Sequence, residues 1–547
     1  MLFRSATERT VAKARQAGRS AYAAVDGRLP ASEGARALMR KAFPDHWSFL
    51  LGEIALYSLL VLVLTGVYLT MFFEPSLAHR TYHGAYGPLR GLSMSGAYAS
   101  TLRISFEVRG GLLIRQVHHW AALVFVAALG VHLLRVFFTG AFRRPREGNW
   151  TVGVTLFMLA LLEGFAGYSL PDDLLSGTGL RTANTIVLSL PLVGTYLSYF
   201  IWGGTFPGHI LLSRLYTVHV LLVPGLLIAL IGLHLMLVVY LKHTQWPARG
   251  RTNRNAVGQP MFPQFTAKSS GLFFMVFGVV TLLGGLAQIN PVWAYGPYLT
   301  DQVSTNAQPD WYVGFLEGAL RLMPAWETNV AGHTFMWNVL IPAVILPGVL
   351  FLLLYAYPFF ERWVTGDLTE HHLCDRPRNV PTRTALGVAA VVWYAVLLAA
   401  GGNDVLAGLF RVSVESLTWI FRVLFVVGPV LAFLLTKRLC LALQDRERQL
   451  LVEGRETGHV VQSVYGGMRE TQEPVPPTER YRILARQIPQ PLPHPGDRAP
   501  RLDRLRAALS AWYFRDRVEL PATAEERRRI AETTAGPAIG ASEEHKG

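Results

Sequence analysis

The sequence predicts an all-α integral membrane protein with eight transmembrane helices, the first four forming a bundle. Three observations carry this. The 547 residues are 51% hydrophobic and only 16% charged, with mean hydropathy +0.29, which is apolar for a soluble chain of that length. Eight uninterrupted apolar runs are long enough to span a bilayer, which takes roughly 20 helical residues. Two of those runs carry paired histidines, and ionisable groups are costly in hydrocarbon and tend to mark function there.

Charge orients the runs. The net charge of +14 gathers in loops and tails, as the positive-inside rule demands, and gives no reason to invoke nucleic acid. The first 27 residues, "MLFRSATERTVAKARQAGRSAYAAVDG", lack the apolar centre of a signal peptide, and their Lys and Arg predict a cytoplasmic N-terminus. Cys374 and Cys440 fall in basic stretches predicted to be cytoplasmic, so no disulfide is expected. No CxxCH occurs, so no c-type haem is attached through that motif.

In chain order the spans are expected near 49–72, 112–138, 151–170, 217–241, 271–289, 336–357, 385–400 and 418–436. The first holds Gly52 and Gly66; the second contains "IRQVHHWAALVFVAALGVHLLRVF", residues 114–137. Arg143, Arg144 and Arg146 follow the second span, and Lys242, Arg249, Arg251 and Arg254 follow the fourth. Both exits are therefore cytoplasmic and an even number of crossings separates them. That parity keeps the apolar run 186–202, broken by Pro191 and Gly194, on the outer surface. Residues 73–111, 171–216 and 290–335 form long outer loops rich in Gly and aromatics. The tail from about 440 is charged, with Pro-rich pieces, a composition that suits an extended or peripheral cytoplasmic segment.

Helical geometry sorts the histidines. His118 and His132 are 14 residues apart, an offset of about 40° and a rise of about 21 Å. His119 lies roughly 140° away from His132 and points elsewhere. His219 and His234, 15 apart on the fourth span, repeat the device. The two spans run in the same direction, so pairing across them gives two bis-histidine sites at two depths. A flat cofactor with two axial nitrogen ligands fits, whereas tetrahedral zinc would want more ligands per site. Polar histidines hydrogen-bonded between helices would be the plain alternative. Gly52 and Gly66, and again Gly153 and Gly167 on the third span, are 14 apart, the period of His118 and His132. Small residues allow close approach, so these ladders suggest macrocycle edges passing at two levels.

On these stretches the chain resembles cytochrome b of the respiratory quinol:cytochrome c reductases. The matching pieces are "LLG…LTG", "IRQVH…H", "GYSLP" (167–171), "RLYTVH…H" and "PDWY" (309–312), within roughly 45–440. The single eight-helix chain, the Asp in PDWY, "LPDDLLSGTGLR" and the long tail look like the actinobacterial, menaquinol-oxidising branch. The resemblance implies two b-type haems: an outer, low-potential one on His118 and His219, and an inner, high-potential one on His132 and His234. Arg115, Arg135 and Arg214 lie a turn or so from ligands, where a guanidinium could meet haem propionates or simply snorkel to the interface. It also implies four segments: 1–47, a cytoplasmic N-terminal stretch; 48–245, a di-haem four-helix bundle; 246–440, a second four-helix region with the PDWY loop; and 441–547, a cytoplasmic tail.

Quinol oxidation releases two protons with two electrons, so a carboxylate at the outer site is chemically useful. Where the family has Glu in PDWY this chain has Asp310, and where relatives carry Tyr seven residues on it has Glu317. Both are candidate proton acceptors, with Pro309, Tyr312 and Tyr168 lining the pocket. At the inner site the family's His falls on Val239 and its Asp on Ser269, leaving Lys268 and His243 as polar candidates.

The expectation is the haem-bearing, quinone-binding core of a proton-translocating menaquinol:cytochrome c reductase in the bacterial plasma membrane, with both termini cytoplasmic. No Cys/His cluster for an iron–sulfur centre is present. The resemblance therefore implies a Rieske iron–sulfur subunit and a c-type cytochrome subunit as partners. A terminal cytochrome c oxidase in a supercomplex, a dimeric complex and membrane lipid complete the expected surroundings. A di-haem quinone-reducing anchor of a dehydrogenase would share the histidines without PDWY, and a haem-free proton-coupled transporter would use them as a relay.

Overall fold

Eight helices among the described residues are long and apolar enough to cross a membrane. They are α1 (Trp47–Thr70), α2 (Gly111–Phe138), α3 (Glu147–Tyr168), α4 (Leu211–Tyr240), α5 (Met261–Leu286), α6 (Trp337–Thr365), α7 (Pro381–Gly401) and α8 (Val414–Glu453). The structure is a computed structural model that describes residue 16 and residues 31–535, apart from 249, 303–307, 486–489, 497 and 517. Most of the N-terminal stretch before 31, and Arg249 of the basic loop, lie outside the described residues.

The helices pack as two connected groups. α1 lies along α2, α3 along α4, and α2 touches α3; α5 closes onto α1 and α2. α7 and α8 form the second close pair, and α6 leans on α3. Inside the first group Ala55, Leu59, Phe125, Val126, Ala128 and Ala160 are buried with Tyr312, which enters from the loop before α6. The run 186–202 does not cross. It forms the end of one helix, Leu174–Leu188, and a second, Gly194–Trp202, on the connection between α3 and α4. At the break, Leu192 takes a left-handed backbone (φ 67°), and a Cβ on Gly194 would press on the Val187 and Leu188 carbonyls.

Two features go beyond the sequence pattern. π turns sit at Val218–Leu222, Met261–Phe265 and Ile341–Ile345, inside or at the start of α4, α5 and α6. Pro224 follows the first, and Pro263 and Pro342 lie in the others; none of these prolines can donate a backbone hydrogen bond. α8 runs on for 17 residues past the apolar run, through position 440 to Glu453. Cys440, Gln444 and Glu447 on this extension are buried at a spacing of three or four residues, one helical face. The tail also returns: helix Arg501–Tyr513 packs on α6, the Thr382 hydroxyl donates to the Tyr513 carbonyl (2.7 Å), and the Arg506 side chain donates to the Trp363 carbonyl (2.7 Å). Its amphipathic pieces, diluted by charge, hid this docking from a composition reading.

That docking covers a buried ion network at the basic end. Arg383, 2% exposed, pairs with both oxygens of Glu361 and with Asp375 (2.8 Å), which Arg143 also reaches (3.0 Å). Removing one member of such a network strands the others in a dry interior, at about 3–5 kcal/mol. Arg383→Leu is expected to lower the thermal unfolding midpoint of the detergent-solubilised protein strongly. An unchanged midpoint would show that water reaches Glu361.

Candidate functional site

The four ladder histidines meet in two pairs across α2 and α4. The rings of His118 and His219 lie 6.1 Å apart between centroids, and those of His132 and His234 lie 6.5 Å apart, each pair nearly perpendicular. Each ladder glycine faces one of these rings. A Cβ built on Gly52 would stand 3.1 Å from His132 Cε1, on Gly66 3.3 Å from His118, and on Gly153 3.8 Å from His234; on Gly167 it would collide with His219. The 15-residue spacing on α4 is reconciled with the 14 of α2 by the π turn at His219, which stores one extra residue in a helix.

Proton bookkeeping leaves one nitrogen of each outer ring free for a metal. The Thr65 hydroxyl donates to the Val61 carbonyl (2.7 Å), so at 2.9 Å from His118 Nδ1 it accepts, and His118 Nε2 keeps its lone pair. His219 Nδ1 meets the Glu163 carboxylate at 2.9 Å and its carbonyl at 3.2 Å, again leaving Nε2 unprotonated. In the inner pair, Nδ1 of both His132 and His234 is buried without a hydrogen-bond partner. With a metal–nitrogen bond of about 2 Å on each side, two axial imidazoles would lie roughly 6 Å apart between centroids, so the donor set and spacing fit a bis-histidine macrocycle.

His119, set apart by its angle on α2, turns to the PDWY segment instead. Its Nε2 lies 2.8 Å from Asp310 Oδ1, while the Tyr312 hydroxyl donates to Asp310 Oδ2 (2.9 Å). Asp310 is thus held on both oxygens, and Pro309 precedes it at the mouth of this turn. The doubled histidine was the available signal for this partnership. Helix Gly314–Leu322 follows, and on it Glu317 pairs with Arg321, which also holds Asp404 (2.8 Å). Burial raises the Glu317 carboxyl while Arg321 opposes the shift. The hydroxyl of Tyr168 donates to the Leu175 carbonyl (3.2 Å).

A further carboxylate pair borders this region. Asp173 caps helix Leu174–Leu188 through Ser176 N–H (3.2 Å), is 1% exposed, and leaves Oδ2 without a partner. Burial pushes both Asp172 and Asp173 up to about 6. The "LPDD" departure is therefore a buried, acid-bearing turn.

The arginines divide. Arg115 reaches the Asn290 carbonyl (3.3 Å) and lies over Trp293. Arg135 lies over the Phe49 ring, 4.3 Å from its centroid, and both arginines keep a buried Nε without a partner. Arg214 caps the carbonyls of Phe200 and Ile201 at the end of helix Gly194–Trp202. At the basic end Lys268 pairs with Asp45 (2.9 Å), His243 packs on Phe43, and Lys41 reaches the Val239 carbonyl. Ser269 donates to Glu53, an α1 carboxylate that no sequence pattern singled out.

Comparison with known proteins gives the family. Residues 123–297 match the family described as cytochrome b(N-terminal)/b6/petB, a stretch that includes three of the four paired histidines. The chain is 52% identical over 518 residues to the cytochrome bc1 complex cytochrome b subunit of Streptomyces coelicolor, covering 92% of this chain and 94% of that protein. It is 48% identical over 525 residues to the subunit of the same name from Mycobacterium leprae, covering 94% and 93%. In fold it is similar to a chain of a hyperthermophilic respiratory complex III, with TM-score 0.56 and 22% identity over 75% of this chain and 98% of that one. At this identity over nearly its whole length, the chain belongs to the cytochrome b subunits of cytochrome bc1 complexes.

Proposed function

We propose that this chain is the haem-bearing, quinone-binding core of a menaquinol:cytochrome c reductase that couples quinol oxidation to proton translocation. The observation that carries the reading is the pair of two-histidine sites at two depths, each backed by glycines. His118 and His219 would hold an outer, low-potential b-type haem, and His132 and His234 an inner, high-potential one. Haem, when bound, supplies one-electron transfer. The basic end faces the cytoplasm with both termini, in the bacterial plasma membrane.

The remaining chemistry belongs to the chain's own side chains. Asp310 takes a quinol proton at the outer site, held in place by His119 and Tyr312. Glu317 is the second acceptor, tempered by Arg321. Tyr168, Pro309 and Tyr312 shape the pocket. Arg115 and Arg135, with buried unpartnered Nε atoms, would be free to meet the propionates of a bound haem. One electron leaves to a Rieske iron–sulfur subunit and on to a c-type cytochrome subunit. The other crosses to a quinone near the cytoplasmic side. A dimeric complex, with a terminal cytochrome c oxidase alongside, completes the assembly.

The test is a reduced-minus-oxidised absorption spectrum of the assembled complex together with its quinol:cytochrome c activity. Two b-type haems and cytochrome c reduction with menaquinol as donor are expected. A complex that reduces quinone from a dehydrogenase but never cytochrome c would overturn the reading.

The glycine cradles give a graded expectation. Gly167→Ala should cost outer haem occupancy most, because its Cβ would collide with His219, whereas Gly153→Ala, whose Cβ would meet His234 at 3.8 Å in ordinary van der Waals contact, should keep the inner haem. Haem content of the purified complex decides it. Full outer haem in Gly167→Ala would mean that the ladder serves helix packing alone.

A further inference from the structure

An intramembrane carboxylate on the first helix has no part in the sites above. Glu53 and Tyr57 are four residues apart on α1, so they share a face, and that face meets α5. Ser269 of α5 stands between them. Its hydroxyl donates to Glu53 Oε2 at 2.5 Å, so the Tyr57 hydroxyl, also bonded to Ser269, donates to it in turn. The three groups form a one-way chain of donors ending on a carboxylate. Such a chain stabilises the negative charge left after a proton departs.

Depth places this chain beside the inner histidine pair. Gly52, the preceding residue, is the one that faces His132. Glu53 lies six residues into α1, roughly 9 Å from its start at the basic end. Lys268, next to Ser269, pairs with Asp45 at 2.9 Å, and both are more than half exposed. This exposed ion pair thus lies one residue along α5 from the hydroxyl bonded to Glu53. An isolated carboxylate at this depth is costly, and such groups tend to line substrate or proton paths.

We propose that Glu53 is the proton-donating residue of the inner quinone site, positioned by Ser269 and Tyr57. This rests on the reading that quinone is reduced on the cytoplasmic side. There the quinone accepts two electrons and two protons; His132 and His234 would hold the group that supplies the electrons. Glu53 gives one: its carboxyl O–H bond breaks as an O–H bond forms on a quinone oxygen. Cytoplasmic water supplies the second proton and restores the carboxyl group.

The experiment uses membranes carrying the assembled complex with the inner haem pre-reduced and an oxidised naphthoquinone added. In wild type, haem oxidation reports the inner site. Glu53→Gln is expected to slow it about 100-fold at unchanged haem content, as removal of a positioned proton donor does. Glu53→Asp should recover part of the rate. A redox-difference infrared spectrum should lose a carboxyl C=O band in Glu53→Gln, a change that a purely structural role would not produce. Should Glu53→Gln fail to assemble, Ser269→Ala, which keeps the carboxyl but cuts the donor chain, should slow the reaction about tenfold and shift that band. Wild-type rates in Glu53→Gln, or in Ser269→Ala where only that variant assembles, would overturn the proposal. Absence of haem oxidation in wild type would instead sink the reading of a cytoplasmic quinone site.

Discussion

Replacing His118 by alanine is expected to abolish the outer b-type haem while the inner one keeps its spectrum, and His119→Ala is expected to keep both. The two residues are neighbours in sequence, yet one ring faces His219 and the other faces Asp310. A haem held there would keep only His219 as a protein ligand, and among the described residues no side chain but His118 comes within 4 Å of a Cβ on Gly66. His119→Ala removes only the partner of one Asp310 oxygen. Haem extraction and low-temperature difference spectra of the purified complex measure the outcome. A haem lost from His119→Ala would mean that the register of α2 is misread.

The second large effect concerns the outer carboxylates. Asp310→Asn is expected to slow quinol oxidation about 100-fold with both haems intact, because an amide keeps the shape but cannot carry a proton away. Glu317→Gln should cost less, since Arg321 already engages that carboxylate in an ion pair. The double variant should fall well below either single one, as each acid covers in part for the other. Steady-state oxidation of a menaquinol analogue, with haem content verified in each sample, is the measurement. Turnover at the wild-type rate in the double variant would reduce PDWY to a structural turn.

The spans and the histidine pairing were legible because hydropathy and helical period are properties of single segments. His118, His132, His219 and His234 could be matched by arithmetic along two helices, and their glycines by the same arithmetic along two others. What stayed hidden depends on contacts between distant segments. His119 and Asp310 are 191 residues apart, and Glu53 and Ser269 are 216 apart. No periodicity reports such a meeting. Arg214 was readable as a residue near a ligand, but its guanidinium is claimed by two carbonyls of a surface helix whose end cannot be placed from sequence. The tail was misleading for a different reason. Its charge masks short amphipathic helices whose few apolar groups, Tyr513 among them, are buried only once α6 and α7 are in place.

The π turn at Val218–Leu222 separates two quantities that a sequence treats as one: the number of residues between ligands and the height between them. In an ordinary helix an added residue rotates everything beyond it by about 100° and lifts it by about 1.5 Å. Here the surplus is absorbed in a single widened turn, so His234 stays in register with His132 although α4 carries one residue more than α2 between its histidines. The widened turn thus takes up the one residue by which the two spacings differ. The helix acts as a vernier, bringing two unequal residue counts to the same pair of levels, with ring centroids 6.1 Å apart at one and 6.5 Å at the other.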